Sequence, residues 1–302
     1  MRTLRAAARA VLLIALVALV VPGATVHPTT LSLSQVEAAK SVDFDDGVVW
    51  VLVLGSDAED GSTLREGNTD AIELLALDLE SGAAAAIGIP RDFWVPLPQG
   101  VGFDRINQAY KEGGASLAAQ AVRDLVDITP DFVLVTGFDG FRSMTDTVGG
   151  VDVVSSERFV TDDGGTLVRR GINHFDADEA LYFAATRTSL ESDLRRAANH
   201  QALLLGFLRQ LRQREGEAGF MERVTSSAIG GLQTDLPPTD LYRLAQAVTQ
   251  VDPEKVAGCI VTGRLATVGP EDASVIIPNY PLAQRLGRDA DEDAELDPGC
   301  QG

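Results

Sequence analysis

The stretch Ala86 to Gly114, AIGIPRDFWVPLPQGVGFDRINQAYKEGG, constrains this chain more than any other. It opens on the end of an apolar run, Ala83 to Ile89, which reads as a buried strand. Pro90 has no amide hydrogen for a ladder, so the strand must end there. Arg91 and Asp92 are thereby placed at a strand terminus, where sheets flanked by helices place their ligand sites. Taken alone, Pro-Arg-Asp reads more readily as a strand exit with a solvated ion pair. Downstream, Arg105-Ile106-Asn107 leads to Gly113-Gly114, a pair that lets the backbone turn before the next helix.

Strand and helix patterns alternate through the rest of the chain. Val48 to Leu54 is a continuous β-rich apolar run, as a strand covered on both faces would be. Ile72 to Leu79, Phe132 to Phe138, Val151 to Val154, Val256 to Val261 and Ser274 to Ile277 read as further strands. Ser116 to Val126 carries a helical stripe, and Asp176 with Glu179 has the spacing of a capping box. A longer helix is expected over Asp193 to Arg214, and another from Asp240 to Val251. The pattern predicts an α/β fold: one domain, with a central mixed sheet flanked by helices on both faces.

Charge and cysteines narrow the function. The net charge of −19 repels phosphate backbones, which argues against nucleic acid as a partner. An anionic ligand would need local cations, and arginines are concentrated between Arg187 and Arg214. Cys259 and Cys300 fit neither a zinc site nor a CxxC pair, and in an exported protein they would form one intramolecular bridge.

Export is what the N-terminus suggests. Arg2, Arg5 and Arg9 precede an uncharged run from Ala10 to Val26, the pattern of a signal peptide or signal-anchor with its start in the cytoplasm. Residues 1–26 are therefore expected to be that segment, 27–47 a polar stalk, 48–284 the folded domain and 285–302 an acidic mobile tail.

Several motifs in order resemble one family. IPRDFWV followed by RINQAYKEGG, with VLVLGSD before it and NTDAIELLALD between, is similar to the signature of the LytR-CpsA-Psr cell-envelope glycopolymer transferases. VTGFDGFRSMTDTVGGVDV and ALYFAATRTSLESDLRRAANHQ extend the likeness over about residues 48–211. The resemblance implies an extracytoplasmic phosphotransferase that moves a glycopolymer from a polyprenyl-pyrophosphate carrier onto peptidoglycan. It implies anchorage in the cell membrane by an uncleaved N-terminus, with secretion the alternative if the signal is removed. It also implies that Asp57 and Asp70 help bind Mg²⁺, and that Arg91, Arg187 and Arg196 grip the pyrophosphate, with Arg91 and Asp92 at the chemistry. The residue types suit these roles. Mg²⁺ takes few carboxylates and completes its shell with water and phosphate oxygens, and guanidinium forks bind phosphate bidentately. An apolar groove for the lipid tail is expected to draw on Phe132 to Phe141.

The chain departs from the family pattern at four positions. Glu59, Asn68, Ala185 and Asn199 stand where the family commonly has arginine. Arg195, one turn before Asn199, is expected to project on the same stripe and compensate in part. Two alternative readings follow: a non-catalytic protein that binds the polyprenyl phosphate or the glycan, and a hydrolase of the polyprenyl-pyrophosphate glycan. Other chemistries fit poorly. Ser56 lacks a G-x-S-x-G elbow, and His27, His174 and His200 have no metal-site spacing.

Overall fold

The structure, a computed structural model, describes residues 30–36, 47–59, 61–161, 165–186, 192–230, 232–269 and 273–297. The described chain runs β1 (Leu31–Gln35), β2 (Val48–Ser56), β3 (Thr69–Asp78), β4 (Ala84–Gly88), β5 (Trp94–Leu97), β6 (Gly102–Arg105), α1 (Ala109–Val126), β7 (Phe132–Thr136) and α2 (Phe138–Val148). Next come β8 (Val151–Ser155), β9 (Phe159–Val160), β10 (Leu167–Val168), β11 (Gly171–Phe175), α3 (Ala177–Ala185), α4 (Ser192–Arg214) and α5 (Phe220–Gly230). The last are β12 (Leu232–Thr234), α6 (Pro238–Gln250), β13 (Val256–Ile260), β14 (Gly263–Val268), β15 (Ala273–Pro278) and α7 (Tyr280–Asp293).

Seven strands form one mixed sheet in the order β12-β1-β7-β2-β3-β4-β13. β2 runs parallel to β7 and antiparallel to β3, and β4 pairs antiparallel with β3 and parallel with β13. Alternation along β2 and β3 divides the core between the two faces. Trp50, Leu52, Leu54, Ile72 and Leu74 pack under α1 and α7. Val49, Val51 and Leu77 pack with Leu236 and with Leu244 of α6. Leu52 and Leu74 are fully enclosed, worth about 1.5–3 kcal/mol each. A third cluster, including Val151, Phe175, Phe183, Leu203 and Phe220, joins the β8–β11 hairpin to α3, α4 and α5. The single-sheet α/β architecture expected from the sequence is the one found.

Two expected boundaries are corrected. Residues 27–47 were expected to be a polar stalk, but Leu31–Gln35 is a strand of the central sheet, paired to β12 on one side and β7 on the other. Its sequence, LSLSQ, alternates with period two, and Leu31 and Leu33 are buried. Residues 285–302 were expected to be a mobile tail, but α7 runs through Asp293. Its acidic residues face solvent while Ala283, Leu286, Gly287 and Ala290 form a buried stripe. Asn279 caps the helix by accepting the Leu282 amide, and the Trp50 indole N–H donates to Asp291. Small residues let this helix lie close to the chain: a Cβ on Gly287 would come within 2.6 Å of the Val126 carbonyl oxygen.

The expected signal segment, residues 1–26, lies outside the described residues, as does Cys300. Among the described residues no helix is long and apolar enough to cross a membrane. Cys259, buried on β13, is disulfide-bonded.

Candidate active site

Backbone bonds hold the segment after β4 in place. The Ile89 amide donates to the Ile72 carbonyl, which keeps the chain on β3 up to Pro90. Phe93 N–H then bonds back to the Pro90 carbonyl, Asn107 N–H reaches the Arg91 carbonyl, and Ile276 N–H reaches the Asp92 carbonyl. Arg91 and Asp92 are thus fixed between β3, the end of β6 and β15. Their backbone is ordered by three separate elements before any ligand arrives, which is the preorganisation a charged site needs.

The side chains there form an alternating series of charges. Buried Arg196 of α4 lies 4.0 Å from Asp70 Oδ2, and Asp70 Oδ1 is ion-paired to Arg91. Arg91 Nε is 3.9 Å from Asp92 Oδ2, and Asp92 Oδ1 is 3.2 Å from Arg105 Nε. Among the described residues the series thus alternates three guanidinium groups with two carboxylates, with Asp57 at the neighbouring strand end. Asp70 is the hinge of the series: it touches both Arg91 and Arg196, side chains the sequence places more than 100 residues apart. An incoming phosphate can take over those guanidinium contacts.

Asp57 sits at the neighbouring strand end. β2 and β3 pair to Ser56 and Thr69, with a register irregularity at Gly55/Ser56, a common device beside functional sites. One residue beyond, Asp57 Oδ1 accepts the Asn68 amide at 2.6 Å, and the Asp57 amide donates to the Asn68 carbonyl. The carboxylate thus closes the loop 57–68, which Ser56 also braces through its bond to the Leu64 carbonyl. Asn68, one of the four departures, contributes backbone to this closure. Asp57 and Asp70 both lie at this end of the β2–β3 ladder. Among the described residues no group of three or more His, Cys, Asp or Glu side chains could hold a metal ion. Two carboxylates and phosphate oxygens are the donor set Mg²⁺ favours, so the residues present fit that ion.

The structure does not bring every expected residue together. Arg187 lies outside the described residues. Arg195 points elsewhere than expected: its Nη1 is 2.7 Å from Glu157 Oε2, on the connection after β8. Asn199 is buried, and its Nδ2 donates to the Phe183 carbonyl at 2.8 Å, satisfying an end of α3. It serves as a link between two helices. The neutral side chain thus has a structural use.

Arg105 joins the series without having been expected there, and His200, expected to be structural or solvated, lies in the field of Arg196 and Asp70. Arg105 reaches Asp92 only because β5 and β6 form a hairpin that pairs Trp94 with Arg105. His200 lies one turn after Arg196, a spacing visible in the sequence. Burial first, then the Arg196 guanidinium, pushes its pKa down to about 4, against opposing effects of Asp70 and the Ala184 backbone. The residue keeps some surface exposure, but its imidazole is enclosed and neutral at physiological pH.

Below the site, Glu73 of β3 is fully buried, and its Oε2 accepts from Gln201 of α4 at 3.1 Å. The same amide also donates to the Ala86 and Cys259 carbonyls, so one side chain clamps α4 to three strands. Desolvation pushes the Glu73 pKa up to about 8, leaving the group protonated at neutral pH.

The LytR_cpsA_psr family model matches residues 22–279. The chain is 29% identical over 185 residues to the polyisoprenyl-teichoic acid–peptidoglycan teichoic acid transferase TagT of Bacillus subtilis, covering 58% of this chain and 57% of that one. It is 30% identical over 190 residues to the probable cell wall biosynthesis protein LcpB of Corynebacterium glutamicum, covering 58% and 45%. The matched region thus spans about half the length of these relatives. Among solved structures, B. subtilis TagV superimposes with a TM-score of 0.69 at 22% identity, over 83% of this chain and 99% of that one. TagT with bound octaprenyl pyrophosphate gives 0.62 at 21% identity, over 88% and 96%. These structural likenesses concern the fold. The match along most of the sequence settles the ancestry: this chain belongs to the LytR-CpsA-Psr family.

Proposed function

We propose that the protein is an extracytoplasmic phosphotransferase that moves a glycopolymer from a polyprenyl-pyrophosphate carrier onto peptidoglycan. The observation that carries this reading is the series Arg196–Asp70–Arg91–Asp92–Arg105 at the strand ends. Relatives named as teichoic acid transferases, and a solved relative holding octaprenyl pyrophosphate, supply the substrate class.

In the proposed reaction Arg91 and Arg196 exchange their Asp70 contacts for pyrophosphate oxygens. A wall-sugar hydroxyl attacks the phosphorus that bears the glycan, forming a new P–O bond. The bond from that phosphorus to the bridging oxygen breaks, and polyprenyl phosphate departs. Asp92, between two arginines, is the carboxylate proposed to take the hydroxyl proton. The guanidinium groups offset the charge that accumulates on the leaving phosphate. Asp57 and Asp70 would hold Mg²⁺, which when bound supplies further neutralisation of phosphate charge. The lipid tail would follow the apolar face below α4, where Val53, Leu75, Leu134 and Leu208 are only partly buried. Leu134 lies in the stretch from Phe132 to Phe141 expected to contribute, whereas Phe132 itself is core.

The binding-protein reading has one observation in its favour: Asn199 is committed to a backbone bond and provides no cation. Product analysis separates the readings. Purified protein, carrier-linked glycan and wall fragments should yield glycan covalently attached to the wall and free polyprenyl phosphate. Free glycan phosphate without attachment would make the protein a hydrolase, and bound but unchanged carrier would make it a binding protein.

A further inference from the structure

The β5–β6 hairpin has a use that the charge series does not explain. Its two faces differ sharply. Val95 and Leu97 point inward and are buried in the main core. The opposite face carries Trp94 and Pro96 on one strand and Phe103 and Arg105 on the other, paired Trp94 with Arg105 and Pro96 with Phe103. Phe103 is 64% exposed, and Pro96 is exposed as well. The Trp94 and Phe103 rings are stacked, 6.5 Å apart at an interplanar angle of 25°, with Phe103 the more exposed of the two.

That surface begins where the charge series ends. Arg105 closes the series through Asp92 and is held from behind by its bond to the Ser274 carbonyl at 3.0 Å. A ligand whose phosphate lay at Arg91 and Arg105 would therefore have its adjoining group over Trp94 and Phe103. A rigid two-stranded support, a buried inner face and a pinned arginine at one end make this a prepared surface. It contrasts with a chance exposed ring.

We propose that the outer face of β5–β6 is a glycan subsite, on which a pyranose ring stacks against Trp94 and Phe103 while Arg105 hydrogen-bonds its hydroxyl or phosphate oxygens. A pyranose has an apolar face of polarised C–H bonds, and the face of an aromatic ring is its electron-rich side. Hydroxyls at the sugar's rim stay in water or meet Arg105, which donates in a fixed fork. An all-apolar partner would leave Arg105 and Asp92 desolvated at the edge, whereas a sugar phosphate matches both parts. The proposal rests on the transferase reading for the origin of the glycan, which is either the carried polymer or the wall chain.

The test uses the full chain in a sugar-free detergent, with chitotetraose as the sugar probe and farnesyl pyrophosphate as the phosphate probe. Saturation-transfer NMR should show contact on one ring face of chitotetraose. Phe103→Ala should weaken that binding on the order of tenfold, and Phe103→Tyr should restore it. Farnesyl pyrophosphate binding should be unchanged in Phe103→Ala. No chitotetraose binding by the wild type, or equal binding by Phe103→Ala and Trp94→Ala, overturns the proposal. So does a dimer in sedimentation that Phe103→Ala disperses, since the surface would then belong to a second copy. No farnesyl pyrophosphate binding by the wild type, with sugar binding present, would instead count against the transferase reading alone. In the transfer reaction, a raised KM for wall fragments assigns the subsite to the acceptor, and a raised KM for carrier-linked glycan assigns it to the donor. No change in either overturns a role in transfer.

Discussion

Glu73 shows how a single residue sets a pH dependence. Its carboxyl is fully buried, and its folded pKa of about 8 lies above the ordinary 4.5. The fold thus favours the protonated form. That contribution is complete below pH 4.5 and is lost as pH rises through 8. His200 acts in the opposite sense: its pKa falls from 6.5 to about 4, so its contribution is present above 6.5 and is lost as pH drops toward 4. Glu73→Gln mimics the neutral acid and removes only the first effect. Urea unfolding should show the variant more stable than wild type by a few kcal/mol at pH 8.5 and equal to it at pH 4.5. Equal stability at both values would mean that Glu73 ionises freely in the fold. Little of this was legible in the sequence. Glu73 interrupts the apolar run AIELLAL, and a lone acid there reads as the solvent face of a strand until α4 is seen to cover it. Pro90 made the strand exit at Arg91 and Asp92 legible, whereas their role in the chemistry came only from the family resemblance. Arg105 was not legible, since its meeting with Asp92 depends on a hairpin whose turn, Pro98 to Val101, has no simple dipeptide signature.

Elements were read well where periodicity was strong and misread where composition hid it. The sheet strands β2, β3, β4 and β7 follow from apolar runs. At Gly114, φ is 67° and α1 is kinked, as the Gly113-Gly114 pair led one to expect. The acidic stretch from Arg288 read as tail, because a stripe of Ala and Gly gives no apolar signal although it permits close packing. Leu286 is the large side chain of that stripe and is 2% exposed. Leu286→Ala should therefore destabilise the domain by about 2–5 kcal/mol in urea unfolding. A loss below 0.5 kcal/mol, the range of surface changes, would show that α7 adds little to the core.

The whole molecule joins a folded domain to an N-terminal segment outside the described residues. The basic flank and uncharged run there lead to the proposal of a membrane anchor with the domain outside the cell, and a disulfide-bonded Cys259 is in keeping with an oxidising compartment. Full-length protein should fractionate with membranes and retain its first residues in N-terminal sequencing. A start near Ala24 to His27 would show cleavage and secretion. Anchorage would keep the charge series close to a carrier that itself lives in the bilayer.

The central claim is that Arg91 grips a pyrophosphate during transfer. Its ion pair with Asp70, which links it to Arg196, and its position beside Asp92 place it at the centre of the series. A charged hydrogen bond is worth ~1.5–3 kcal/mol, so losing two such contacts should cost roughly a hundredfold or more. The decisive measurement is transfer of carrier-linked glycan to wall fragments by wild type and by Arg91→Ala, with the fold of each checked by thermal unfolding. The account predicts wall-attached product from the wild type and a loss of at least about a hundredfold in Arg91→Ala at an unchanged fold. Undiminished transfer by a folded Arg91→Ala would contradict it.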